Sequence, residues 1–384
     1  MPQRGPLSGI TVIDLSRILA GPYCTMLMAE LGARVIKVEP PKTGDDARAY
    51  GPFVKNHSAY FASINRGKES IALDLKADAD RRIFEKLLEK ADVLVENFRP
   101  GTMEKFGYGW ETLHARYPQL IYAAASGFGH TGPNSKDPAY DMVVQGMGGI
   151  MSVTGFPGGQ PTRVGMSIGD VGSGIYTAVA VNAALLHRFR TGEATNVDIG
   201  MFDCQLALLE GVVVRYTAEG VIPGPVGSRH ATITPFQAFK TKDGNIIIAA
   251  GNDSLFVRLC NGLGKPGMGL DPEYLTNDLR RKNQKRLEAE IEAILAAKTT
   301  AEWIKIIGDA GVPCGPINNI AQALQHPQVE ARNMLVTVPD GEGGTLKVSG
   351  NPLKMSAFPD PPTRDAAPDL DANRAAILKE LGLA

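Results

Sequence analysis

Short apolar runs alternate with longer amphipathic stretches through the first half of the chain. Ile10–Leu15 reads as a buried strand, and Gly21-Pro22 opens a helix that runs through Leu31. Gly32 is placed to end that helix in a left-handed backbone conformation. Arg34–Val38 is a second apolar strand. The pattern then repeats, with a strand at Ser70–Leu73, a helix at Asp78–Lys90 and a strand at Val93–Val95. Ile83, Phe84, Leu87 and Leu88 share one face of that helix. Leu120–Ala124 is a further strand, followed at once by SGFG. Strand–helix–strand repetition of this kind predicts a doubly wound, Rossmann-like α/β domain on a parallel sheet. A small-residue helix over Gly172–Arg188, a strand over Asn196–Ile199 and a mostly apolar helix over Met201–Glu219 complete the first half.

Gly220–Gly227 is rich in proline and glycine and reads as a linker. Beyond it, Phe236–Thr241 and Asn245–Ala250 flank Lys242-Asp243-Gly244, a hairpin signal. Helices are expected at Ser254–Leu263, Lys285–Ala297 and Ala301–Ala310, the last opened by a Thr299–Glu302 capping box. A hairpin followed by helices predicts a separate, smaller α+β domain. Past Pro313 the pattern turns irregular, with Pro359–Pro368 a loop and Asp371–Leu381 a final helix. The expected organisation is a large domain over 1–200, a linker helix over 201–224, a small domain over 225–310 and a return to the large domain over 311–384.

The 384 residues exceed one typical core, in keeping with two domains. A formal net charge of −1 argues against a general nucleic-acid binder. Pro6, Ser8 and Asp14 interrupt any apolar core of a signal peptide, and no run approaches the length of a membrane span. Cys24, Cys204, Cys260 and Cys314 are widely spaced, which fits a reducing cytoplasm. The six histidines show no ligand spacing, so no metal is expected.

The stretch Tyr140–Tyr176 is apolar and dense in glycine, and holds Asp170 between Gly169 and Gly172. Such an aspartate serves either as a turn or helix cap, or as a carboxylate where small neighbours let a ligand approach. Gly165-Met166-Ser167-Ile168-Gly169 matches the hydrolase pattern G-x-S-x-G, but no strand precedes it, and Ser167 is not expected to be a nucleophile. Gly169–Gly174 lacks the order of a dinucleotide fingerprint. The turns beyond the predicted strands carry Arg17, Lys76, Arg99 and Lys105. Open α/β sheets bind ligands beyond the carboxyl ends of their strands, so four cations there suit a phosphate-bearing ligand.

Taken in order, LSGITVIDLSRILAGP (7–22), LGARVIKVEPP (31–41), GDDAR (44–48), NRGKESIALDLK (65–76), ADVLVENFRPGTMEKFG (91–107), LIYAAASGFGHTGP (120–133), AYDMVVQGMGGIMSVTG (139–155) and the GD at 169–170 resemble the class III CoA-transferases. The resemblance covers nearly the whole chain and is greatest to the oxalate-using members, the acetyl-CoA:oxalate and formyl-CoA:oxalate types. NRGKESIALDLK and AAGNDSLF (249–256) resemble the acetyl-CoA type. The family's nucleophilic aspartate falls on Asp170, and its CoA-contacting positions fall on Arg17, Ile18, Leu73, Lys76, Asn97, Phe98, Arg99, Lys105, Ala139 and Tyr140. Gly251 and Asn252 fall on an acceptor or oxyanion position.

The sequence departs from the formyl-CoA type at three places. Gly251-Asn252-Asp253 replaces a run of four glycines, Pro40 an arginine near the adenine, and Leu19 a glutamine near the reacting carbonyl. The resemblance implies an acyl-CoA and a small carboxylate as substrates, no metal or cofactor beyond CoA, and an interlocked homodimer. It also implies catalysis through aspartyl anhydride and aspartyl-CoA thioester intermediates. Glycines beside Asp170 would leave backbone N–H groups open to an oxyanion, and Arg163 and Asn252 would face the acceptor carboxylate. Other donors, formyl-CoA or succinyl-CoA with a dicarboxylate, stay open. α-Methylacyl-CoA racemases resemble the same fold, but they pair the aspartate with a histidine where this chain has Tyr140. A phenol is a poor base near neutral pH.

Overall fold

A computed structural model describes residues 5–341 and 343–383. Six strands form an all-parallel sheet: β1 (Thr11–Asp14), β2 (Arg34–Glu39), β3 (Glu69–Ala72), β4 (Val93–Glu96), β5 (Ile121–Ser126) and β6 (Asn196–Gly200). Their spatial order is β3-β2-β1-β4-β5-β6. Strand order reverses between β1 and β4, so the crevice beyond their carboxyl ends is the topological switch point.

The sheet is covered on both faces, and side-chain alternation decides which residue joins which core. Val12, Val35, Val93, Val95, Ile121 and Ala123 pack beneath α1 (Ala20–Glu30). Their neighbours Ile13, Ile36, Leu94 and Tyr122 face the opposite core, which takes Phe84, Leu87 and Leu88 from α2 (Asp78–Leu88). Gly32 ends α1 at φ +95, where a β-carbon would be strained.

α3 (Asp141–Met147) follows β5, and the long helix α4 (Ile168–Thr191) packs on the α1 side through Ala178, Val181, Ala184 and Leu185. α4 begins four residues before the expected Gly172. Glycines lower helix propensity and suggest a loop, but here they answer to packing. A β-carbon on Gly169 would meet Val144 Cγ2 at 2.8 Å, and one on Gly174 the Ala20 carbonyl oxygen at 2.7 Å. α4 is also long and apolar enough to cross a membrane, contrary to the sequence reading; half of its apolar stretch is buried in this fold.

The single helix expected over Met201–Glu219 is two, α5 (Met201–Leu208) and α6 (Glu210–Glu219), broken at Leu209. The tail expected to be irregular contains an antiparallel hairpin, Leu335–Pro339 with Thr345–Ser349. Its end clasps β3 at the sheet margin. Ser70 N–H donates to Asn373 Oδ1 (2.9 Å), Ala72 N–H to Asp371 Oδ1 (2.8 Å), and Arg374 to the Ala72 carbonyl (2.8 Å).

The chain divides into two compact units. One comprises the residues up to Met151, Arg163–Ile222 and those from Pro327 on; the other comprises Ser152–Thr162 and Pro223–His326. Residues 201–222, expected to link, thus belong to the first unit, and 152–162 and 311–326 to the second. The second unit has an antiparallel sheet of β7 (Phe236–Lys240), β8 (Asn245–Ala249) and β9 (Cys314–Pro316), in order β9-β8-β7. It packs with α7 (Asp253–Gly262), α8 (Gln284–Leu295) and α9 (Thr300–Asp309) around Phe239, Ile248, Phe256, Ile291 and Trp303. The expected capping box opens α9.

Candidate active site

β1 delivers the turn Ser16–Ile18 to the switch point, and β4 delivers Asn97–Arg99. Asn97 joins them: its Oδ1 accepts the Arg17 N–H and its Nδ2 donates to the Arg17 carbonyl, both at 2.8 Å. The Asn97 amide thus fixes one peptide of the neighbouring turn, a role the sequence did not suggest. The Arg17 guanidinium pairs with Asp46. Ile18 sits at φ +69, a left-handed conformation costly for a β-branched residue, on the order of 1–2 kcal/mol.

The turn after β4 is held from below. Buried Glu96 accepts the Phe98 N–H at 2.7 Å and the Tyr122 hydroxyl at 2.9 Å. Burial pushes its carboxyl up to about 7. Phe98 packs on the core, whereas Arg99 and Lys105 are exposed. Leu73 lies beyond β3 with its side chain in the core and its N–H donated to the Glu39 carbonyl; Lys76, further along that turn, is exposed. Beyond β5, Ala139 lies so close to Gly127 that a β-carbon there would come within 2.4 Å of its own. Tyr140 caps α3 and is largely exposed.

The start of α3 is tied to the start of α4 by Asp141. Its Oδ1 accepts the Gly169 N–H and its Oδ2 the Gln145 amide, both at 2.8 Å. Arg163 approaches the same carboxylate at 3.8 Å, and Gln145 Oε1 accepts the Val164 N–H at 2.9 Å. Asp170 follows in the first turn of α4. It is half-buried, and its carboxylate makes no hydrogen bond or ion pair with the described residues; only its carbonyl is engaged, by Ser173. A helix N-terminus favours a carboxylate, but burial and then the neighbouring Asp141 outweigh it and push Asp170 up to about 7. Tyr60 lies within electrostatic reach, and burial followed by the Asp170 charge pushes its phenol up to about 12.

A half-buried, unpartnered carboxylate that titrates near neutrality has the chemistry of a candidate nucleophile or general base. The cap reading of Asp170 fails, since Ser167 precedes the helix and the Asp170 side chain bonds no backbone N–H. Ser167 has no strand before it among the described residues. The adjacent backbone is more fully used than the glycines suggest: Gly169 N–H goes to Asp141 and Val171 N–H to the Ser167 carbonyl.

In the second unit, Asn252 caps α7. Its Oδ1 accepts the Leu255 N–H at 2.9 Å and the Ser254 hydroxyl at 2.8 Å. Gly251 is exposed with open space around it. Buried Arg280 anchors the next residue, Asp253, at 2.6 Å. Among the described residues, no group of three or more His, Cys, Asp or Glu stands ready to hold a metal ion.

Asp141, Glu96 and Tyr60 were not singled out from sequence. A lone acid opening a helix or ending a strand carries no signal of its own.

A family model, CoA-transferase family III, matches residues 7–374. The chain is 46% identical over 378 residues to an acetyl-CoA:oxalate CoA-transferase of Acetobacter aceti, covering 98% of this chain and 96% of the relative. It is 40% identical over 390 residues to a succinyl-CoA:mesaconate CoA-transferase of Haloarcula hispanica, covering 99% and 97%. A CAIB/BAIF family protein from Brucella suis, solved by crystallography, superposes with a TM-score of 0.86 at 38% identity, covering 99% of this chain and all of that one.

Proposed function

The chain belongs to CoA-transferase family III, and from that premise we propose that it moves CoA from acetyl-CoA to oxalate with Asp170 as the covalent carrier. The carrying observation is the Asp170 carboxylate, half-buried, unpartnered and ionising near pH 7 at the head of α4.

In the first step Asp170 attacks the thioester carbonyl and expels CoA thiolate, leaving an acetyl-aspartyl anhydride. The thiolate then attacks the aspartyl carbonyl and releases acetate, which leaves an aspartyl-CoA thioester. Oxalate attacks that thioester, the thiolate departs again, and an oxalyl-aspartyl anhydride forms. Attack of the thiolate on the oxalyl carbonyl yields oxalyl-CoA and frees Asp170. No proton is gained or lost overall, and each step replaces a hard exchange with an easier displacement. Arg17, Ile18, Leu73, Lys76, Asn97, Phe98, Arg99, Lys105, Ala139 and Tyr140 are assigned to CoA, whose distant contacts orient the thioester. Gly251 and Asn252 are assigned to the acceptor or oxyanion. Gly169 and Val171 N–H groups are already committed and are not free to hold it.

A homodimer belongs to the same reading. Val179, Leu186 and Phe189 of α4, Val214 and Tyr216 of α6, and Ile222 are exposed, and α6 buries no residue in its own chain. A second copy covering these side chains would account for so much exposed apolar surface.

Incubation with acetyl-CoA and a panel of oxalate, formate, succinate and glutarate is expected to give turnover with oxalate. Turnover with succinate or glutarate alone would replace oxalate with a longer dicarboxylate as the acceptor. Hydroxylamine trapping during turnover is expected to mark Asp170 in the peptide map; a mark elsewhere would end the mechanism.

A further inference from the structure

We propose that Lys37 and Asp45 are positioning residues for coenzyme A, holding the turn Ser16–Ile18 in the shape that meets the nucleotide-bearing thiol. The inference rests on the CoA reading above.

Lys37 sits mid-strand on β2 and is wholly buried. Its ammonium crosses to the carboxyl end of β1, donating to the Ser16 carbonyl at 2.7 Å and pairing with Asp45 at 2.8 Å. Asp45, equally buried, accepts the Ile18 N–H at 3.0 Å and the Ala47 N–H at 2.9 Å. On the other side, Ser16 N–H donates to Asp14 Oδ1 at 2.9 Å, and Asn97 takes both polar groups of the Arg17 peptide. The peptide groups of this turn are thus held by four side chains, those of Asp14, Lys37, Asp45 and Asn97.

Lys68 neutralises Asp14 from behind at 3.0 Å and also donates to Thr25, Asn65 and the Pro22 carbonyl. Glu39 accepts the Asp45 N–H at 3.0 Å and is itself held by Arg48 and Ser70. The charges are therefore balanced, and Asp14, Lys37 and Asp45 each spend a bond on the backbone of Ser16–Ile18.

Buried ion pairs add little net stability compared with apolar side chains of the same size. These charges are better explained by geometry. Ile18 at φ +69 does not keep that conformation unaided, and Asp45 holds the peptide N–H that fixes it. A turn set before CoA arrives spares the ligand the entropy of ordering it.

The test compares Asp45→Ala, Asp45→Asn and Lys37→Met with Ser70→Ala, which removes a bond to Glu39 in the same buried network without touching the turn. Calorimetric titration of the full-length protein with CoA reads binding, steady-state kinetics with acetyl-CoA separate KM from kcat, and melting temperature reads stability. The Kd for CoA and the KM for acetyl-CoA are expected to rise about tenfold in Asp45→Ala and Lys37→Met, and less in Asp45→Asn, which keeps an acceptor oxygen. The kcat should stay within about threefold, since saturation restores the turn. Ser70→Ala should lose melting temperature and keep wild-type CoA binding.

Wild-type Kd in folded Asp45→Ala, or in Asp45→Asn should the alanine variant not fold, overturns the inference alone. So does a parallel loss of CoA binding in Ser70→Ala, which would mark the network as merely structural. Wild-type protein that binds no CoA overturns the CoA reading and this inference with it.

Discussion

Asp170 carries a proton that its surroundings hold too tightly. Desolvation comes first and the Asp141 charge second, and together they set its ionisation at about 7. Only the carboxylate attacks a thioester, so kcat/KM is expected to climb with unit slope below about pH 7 and level off above it. A flat profile from pH 5 to 8 would show that this group does not ionise in the rate-determining step. The same shift acts on stability. A free aspartate ionises near 3.9, so the unfolded chain releases this proton first as pH rises. The folded state's advantage from keeping it is complete below about pH 4 and lost as pH passes 7. Because the group is partly solvated, the loss is about 1–2 kcal/mol rather than the full value of the shift. Relative to wild type, Asp170→Asn is therefore expected to gain about that much stability between pH 4.5 and pH 8, as calorimetric melting would show.

At the scale of elements, the glycines of α4 separate packing from propensity. Gly174→Ala should raise helix propensity by about 1 kcal/mol, but its new methyl would meet the Ala20 carbonyl at 2.7 Å and Tyr23 Cβ at 3.1 Å. Overpacking of this kind costs about 1–3 kcal/mol. Gly308→Ala in α9 has nothing within 4 Å of its β-carbon. The melting temperature is expected to fall by several degrees, about 2–8 °C, in the first and to rise slightly in the second. The same conflict explains what the sequence hid. Parallel strands were legible because they are nearly continuous apolar runs, and α9 because its Thr299–Glu302 box is local. The start of α4 was hidden because IGDVGSG obeys a neighbour rather than its own propensity. The Leu335–Pro339 hairpin was hidden because its strands are short and bury a small core of Val336, Val338 and Val348. Of the candidate site, Asp170 and the turns after the strands are what the ordered motifs single out. Lys37 was visible only as a charge inside VIKVE, which periodicity assigns to a strand without saying what the charge reaches. That Asn97 faces the Arg17 peptide depends on β1 and β4 being neighbours, and no local spacing reveals it.

On the scale of the whole molecule, the exposed apolar side chains of α4 and α6 bear on the proposed assembly. Sedimentation is expected to give twice the 41.0 kDa of one chain. Val214→Lys combined with Phe189→Lys would place charges among those side chains and shift the protein toward single chains, with a fall in melting temperature. A monomer in the unsubstituted protein would leave the exposed side chains to some other cover.

The clasp on β3 sets the order in which the molecule can be finished. A growing polypeptide leaves the ribosome with β1 to β6 in hand long before Asp371 and Asn373 emerge. Throughout that interval the outermost strand offers bare donors at Ser70 and Ala72 to any passing β-segment. The segment Asp371–Arg374 therefore acts as a closing seal, and a messenger stopped just short of it would yield a nearly complete enzyme with an open, sticky margin.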